Sequence, residues 1–183
     1  MNINVYNFWS NEMGPLCAVS GDIKECLDYP LGATFAFLTP YFDEAYFEEI
    51  KSVGEINRKF WLCNEKFVLS KALLSPCKYM GQDNMILLDA LITPPKFRGK
   101  GLAKDVVEFC ANRIDEKEFP TMQLYSSNDT SKAAERKNLY ESWGFVPRTP
   151  ESSYYVAPIE KLRSLDPNKF TPDKSLANIE ITW

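Results

Sequence analysis

Phe97-Arg98-Gly99-Lys100-Gly101-Leu102-Ala103 joins an apolar run, Met85 to Ile92, to a helical pattern that starts at once. A strand, a glycine turn and a helix N-terminus, in that order, make a cradle for an anion. The glycines remove side chains that would hold a phosphate off the backbone, and the first-turn N–H groups of a helix lack intrahelical partners. Lys96, Arg98, Lys100 and Lys104 add positive charge around the same spot. Leu102, Val106, Phe109, Cys110 and Ile114 then repeat at helical spacing, so this helix lays one face on a sheet and stops before Pro120. The plainer reading of such a turn is a helix cap without a ligand.

What the turn lacks narrows the ligand. A nucleotide P-loop needs GxxxxGK followed by Ser or Thr, and no such spacing occurs in the chain. A dinucleotide fold places GxGxxG near the start of its domain with an acid further on. Here the motif is mid-chain and reads R-x-x-G-x-A from Arg98 to Ala103. Downstream lies Leu139-Tyr140-Glu141-Ser142-Trp143-Gly144-Phe145. Together the two segments resemble the GNAT superfamily of acyl-CoA-dependent N-acyltransferases. The first is similar to that family's pyrophosphate loop and the second to its LYEKLGF segment. Thr93, Pro95 and Phe97 fall where the family often has Val, Pro and Tyr, and the resemblance covers residues 85–148.

The resemblance implies an α/β domain with a mixed, mostly antiparallel central sheet flanked by helices, and acetyl-CoA as co-substrate. Arg98, Gly99, Lys100, Gly101, Leu102, Ala103 and Lys104 would then hold the diphosphate. Main-chain N–H groups near Leu91, Ile92 and Thr93, where the family's strand commonly bulges, would bond the pantetheine arm and the thioester carbonyl. Tyr140 corresponds to the usual general acid, which protonates the departing thiolate; its plainer role is a core aromatic beside Leu139 and Trp143. Asp89 occupies the place where many small-amine members carry a glutamate, often followed by an aspartate; here Ala90 follows. Asp89 is therefore read as a base, a water-mediated relay, an anchor for a cationic acceptor, or simply a carboxylate bonded to nearby backbone or lysine. Many relatives have an asparagine seven residues before the tyrosine, where this chain has Ala133. Asn128 is an alternative source of that amide, its plainer role being a turn residue in Ser126-Ser127-Asn128-Asp129.

Composition agrees with one domain. The chain has 183 residues, of which 45% are hydrophobic, enough for a single core. The reading divides it into an acetyltransferase-like domain over 1–160 and a polar, proline-punctuated tail over 161–183. The longest uncharged run near the start, Tyr29 to Phe42, includes two prolines and is too short to span a bilayer. The first basic residue is Lys24, so a secretory n-region is missing, and a cytoplasmic protein without membrane attachment is expected. Five cysteines without a CxxC pair, and no histidine, argue against a metal site and read as reduced, mostly buried thiols. The lack of histidine also removes Ser-His and Cys-His nucleophiles, whereas direct transfer from a thioester to an amine needs neither.

Residues 1–92 carry 7 Lys/Arg against 12 Asp/Glu, and residues 93–183 carry 14 against 13. The acidic half is the one expected to shape the acceptor site, which points to a cationic amine. A pI near 5.0 argues against nucleic acid as partner. The acceptor's identity and a homodimeric state stay open, as does a second class of function, a non-catalytic relative that binds CoA or a protein partner. Elsewhere the patterning predicts a strand over Ile3–Trp9, an amphipathic helix over Asp43–Val53, and strands over Lys59–Cys63 and Phe67–Leu74 before a Pro76–Asn84 loop. Met122–Tyr125 reads as a strand, Ser131–Trp143 as a helix, and Phe145-Val146 and Tyr154–Ala157 as late strands.

Overall fold

The computed structural model describes residues 2–21, 34–42, 45, 68–79, 82–126, 131–176 and 179–180. The described strands are β1 (Asn2–Ser10), β2 (Gly14–Gly21), β3 (Thr34–Thr39), β4 (Ser70–Tyr79), β5 (Gln82–Ile92), β6 (Thr121–Tyr125), β7 (Val146–Pro147), β8 (Tyr154–Pro158), β9 (Thr171–Pro172) and β10 (Ile179–Glu180). The described helices are α1 (Leu102–Arg113), α2 (Ala133–Ser142) and α3 (Ile159–Leu162). All the strands join one sheet in the order β10-β1-β2-β3-β4-β5-β6-β8-β7, with β9 also on β1. Neighbours are antiparallel except β5 and β6, which are parallel and joined through α1. This is the single mixed, mostly antiparallel sheet with flanking helices that the motifs implied.

The apolar stripe of α1 lies as expected. Leu102, Val106, Phe109 and Cys110 are each at most 2% exposed and pack on Ala36, Leu38, Ala72, Leu74, Ile86 and Leu88, which alternate along β3, β4 and β5 toward that face. Burying each large side chain here contributes about 1.5–3 kcal/mol. Cys110 is a core residue, and burial pushes its thiol up to about 12, so it stays protonated and unreactive near neutrality. The opposite face of the sheet carries a second cluster built on Ile3, Val5, Val19, Phe35 and Phe37.

The hairpin before the glycine turn differs from expectation. β4 begins at Ser70 and runs on through Pro76 and Cys77, and β5 begins at Gln82, so most of the expected Pro76–Asn84 loop is strand. Among the described residues β3 pairs with β4 as far as Leu74, so Pro76 interrupts none of the described β3–β4 pairs. The expected helix over Asp43–Val53, apart from Ala45, and the strand over Lys59–Cys63 lie outside the described residues. Strands β2 and β3 were not signalled by the patterning.

Residues after 160 take part in the fold. Phe170 is 8% exposed, with its ring 5.1 Å from both Phe8 and Phe109. Thr171–Pro172 and Ile179–Glu180 pair with β1. Lys169 reaches α1, its Nζ 2.7 Å from Asp105 Oδ1 and 2.5 Å from Glu108 Oε2. Burial alone would push the Asp105 carboxyl up and the Lys169 ammonium down; the shared contacts oppose both effects and hold Lys169 charged.

Arg163 closes the far end of α1. Its Nε and Nη2 donate to the carbonyls of Ala111 and Ile114 at 3.3 and 3.0 Å, and Nη1 lies 2.9 Å from Glu116 Oε2. The Ala111 carbonyl otherwise takes only a long bond from the Ile114 N–H at 3.4 Å and the Ile114 carbonyl lies past the last turn, and a cation there also complements the helix dipole. Arg163→Ala is expected to lower stability by about 1–2 kcal/mol, read as a drop in thermal midpoint without loss of helical circular dichroism.

Candidate active site at the end of strand β5

Beyond Ile92 the chain makes one 3-10 turn, Pro95–Phe97, before the glycines. The turn is tied down at both ends. Phe97 N–H donates to the Pro94 carbonyl at 2.9 Å, and Arg98 Nε donates to the Thr93 carbonyl at 3.0 Å. The hydroxyls of Ser70 and Thr93 lie 2.8 Å apart, which fastens the loop to β4. Gly99 and Gly101 both have φ of 75°, a left-handed conformation that side chains make costly. A Cβ built on either would meet nothing within 4 Å. No packing forbids a side chain there; the backbone faces open space.

Gly101 is the N-cap of α1 and no side chain caps it. The Asp105 N–H makes the first intrahelical bond, to the Gly101 carbonyl at 3.0 Å, so the N–H groups of Leu102, Ala103 and Lys104 have no intrahelical acceptor. Leu102 is buried, so it can reach a ligand only through its backbone. Lys100 is half-buried beside this opening, Lys96 stands 4.9 Å above the Phe97 ring, and Lys104 shares its charge with Glu108 at 3.6 Å. An open, uncapped helix start that follows two left-handed glycines, ringed by cations, fits a diphosphate.

The sheet opens next to this turn. β5 pairs with β6 only from Met85–Leu88 against Thr121–Leu124, whereas its pairing with β4 continues to Ile92 opposite Lys71. Residues 89–92 thus have no β6 partner, and the N–H and C=O groups of alternate residues in this stretch point to the side that β6 leaves. The irregularity in β5 lies at Asp89 rather than around Leu91–Thr93: Leu73 is opposite Ala90 and Leu74 opposite Leu88, which leaves Asp89 as the extra residue. Alternation from Leu88, which packs on the α1 side, puts Asp89 on the face away from α1, and Ser75 Oγ donates to its Oδ2 at 2.5 Å. Ser75 went unnoticed in the sequence because its place beside Asp89 depends on the register of β4 and β5, which sets Ser75 opposite Leu87.

Tyr140 stands on the other side of the sheet. Its ring packs at 5.6 Å from Trp143, 6.3 Å from Phe145 and 6.4 Å from Tyr155, on the α1 side of the core. Burial raises its phenol above the ordinary value, with Arg136 pulling the other way, so it is protonated at neutral pH. Asp89 and Tyr140 therefore come from opposite faces, and none of the described hydrogen bonds joins them. Leu139, expected beside Tyr140 in the core, is 44% exposed. Asn128 lies outside the described residues.

Several solved structures share this chain path. An acetyltransferase candidate of the GNAT family from Desulfovibrio desulfuricans aligns with TM-score 0.49 and 13% identity over 74% of this chain and 75% of its own. Nourseothricin acetyltransferase aligns with TM-score 0.47 and 10% identity over 87% and 86%. A GNAT family N-acetyltransferase from Escherichia coli, solved in complex with CoA, aligns with TM-score 0.45 and 17% identity over 76% and 68%. The fold is similar to that of GNAT acetyltransferases. No protein-family model and no curated protein sequence matches the chain. Among the described residues no helix is long and apolar enough to cross a membrane.

Proposed function

We propose that this protein is an acyl-CoA-dependent N-acetyltransferase that passes an acetyl group directly from acetyl-CoA to a cationic amine. The observation that carries the reading is the pair of left-handed glycines facing open space at the uncapped start of α1, beside a strand released from its neighbour. Leu102, Ala103 and Lys104 N–H groups, with Lys100 and Arg98, would hold the diphosphate. Main-chain groups along Leu91 and Ile92 on the side that β6 leaves, with Thr93 at the loop's start, would bond the pantetheine arm and the thioester oxygen.

Acetyl-CoA supplies the activated acetyl group when bound. The amine nitrogen forms a bond to the thioester carbon as the carbon–sulfur bond breaks. Asp89, directly or through water, takes the ammonium proton; this matters because an amine with pKa about 10.4 costs about 4–5 kcal/mol to deprotonate at pH 7. Tyr140 gives its phenolic proton to the departing sulfur, from the opposite face. On becoming an amide the nitrogen sheds its second proton, which passes through solvent to the phenolate, and the Asp89 acid gives its own proton to solvent, so each turnover frees one proton.

Gly101→Ala tests the cradle. Left-handed strain should lower stability by only about 1–2 kcal/mol, because the new methyl clashes with nothing in the free protein. The methyl would stand where the diphosphate lies, so calorimetric affinity for acetyl-CoA should fall at least about tenfold. Unchanged affinity in a folded variant, or no heat from the wild type, would remove the donor site.

A further inference from the structure

We infer, on the basis of the donor site proposed above, that Lys169 is a positioning residue for acetyl-CoA: it holds the carboxylates of Asp105 and Glu108 so that the start of α1 stays favourable to the diphosphate. Asp105 stands in the first turn of α1, and Glu108 follows on the same flank of the helix. Their side chains are each 14% exposed, and Lys169, from the segment after α3, sets its ammonium between them at 2.7 and 2.5 Å. Lys169 is itself held in place. Its N–H donates to the Asp166 carbonyl at 3.2 Å, and the buried ring of Phe170 follows it in the chain.

Carboxylates near the open end of a helix complement the positive end of its dipole while no ligand is bound. With a diphosphate in place the same charges repel the ligand. The helical rise puts the Asp105 Cα about 4.5 Å along the axis from that of Leu102, and helix side chains lean toward the N-terminus, so its charge is felt at the open N–H groups, within roughly a Debye length of about 8 Å. Lys169 cancels one of the two negative charges on this flank and Lys104 the other. By engaging Glu108 Oε2, Lys169 also leaves Lys104 in a loose pair, 3.6 Å from Glu108 Oε1, with a side chain 54% exposed that can turn to a phosphate. Without Lys169, Glu108 would draw Lys104 back along the helix, and Asp105 would meet the diphosphate uncompensated. A residue 64 positions beyond Asp105 thus sets the charge at the donor cradle.

Calorimetry of the full chain with acetyl-CoA is the test. Lys169→Met, which keeps most of the stem, should bind about fivefold more weakly than the wild type, and Asp105→Asn, which removes one carboxylate and keeps Lys169, about threefold more tightly. The triple variant Lys169→Met/Asp105→Asn/Glu108→Gln should return to within about twofold of the wild type. A role in packing alone would produce neither the gain in Asp105→Asn nor the recovery in the triple variant. Equal affinity of Lys169→Met and the wild type, unchanged or weaker binding by Asp105→Asn, or no recovery in the triple variant would overturn the inference. Asp105→Asn decides alone should Lys169→Met fail to fold. No heat from acetyl-CoA with the wild type would overturn the donor site as well, whereas a wild type that binds, with variants that do not differ from it, overturns this inference alone.

Discussion

Tyr140→Phe is expected to cut turnover about a hundredfold, the lower end of what a positioned general acid contributes, while acetyl-CoA affinity stays within about twofold. The substitution keeps the ring contacts with Trp143, Phe145 and Tyr155 and removes only the hydroxyl. A hundredfold corresponds to about 2.7 kcal/mol of barrier. Because burial raises the phenol above its ordinary value, the proton is present through neutral pH and is lost only in strong alkali. Wild-type activity should therefore show an alkaline fall that lies above pH 10.0 and is missing from the variant. Steady-state kinetics over pH, together with an acetyl-CoA titration, reads both. Parallel losses of affinity and turnover, with no change in the pH profile, would assign Tyr140 to packing.

Phe170→Ala should be the most damaging change outside the site, with a loss of about 3–4 kcal/mol in urea denaturation and a thermal midpoint lower by roughly 10 °C. The ring fills the space between Phe8 on β1 and Phe109 on α1, so its removal opens a cavity between the sheet and its main helix. It also frees the neighbouring Lys169 from Asp105 and Glu108 on the first turns of α1. A loss below about 1 kcal/mol would mean that the site collapses without cost and that residues after 160 only lie on the surface.

Short-range signals were legible. The glycine turn, the stripe of α1, the strand Thr121–Tyr125 and the helix carrying Tyr140 each rest on a period or a residue type visible in a few consecutive positions. What depended on distant partners was not. Pro76 reads as a breaker, yet in the structure it lies within β4 opposite Ile86. Phe170 is one aromatic among polar residues, and nothing local announces that Phe8 and Phe109 leave a gap for it. The meeting of Ser75 and Asp89 follows from the register of β4 and β5, with Ser75 opposite Leu87, and no local signal announces that pairing.

The way the sheet ends has a consequence for how the molecule behaves in a crowded solution. At one margin β9, β10 and the Asp173 N–H, which donates to the Val5 carbonyl at 2.9 Å, occupy groups along the outer side of β1. At the other margin stands β7, two residues long and closed by Pro147. A sheet this wide would otherwise offer long rows of unsatisfied amides to passing chains. Here both rims are blunted, so the protein resists templating its own aggregation.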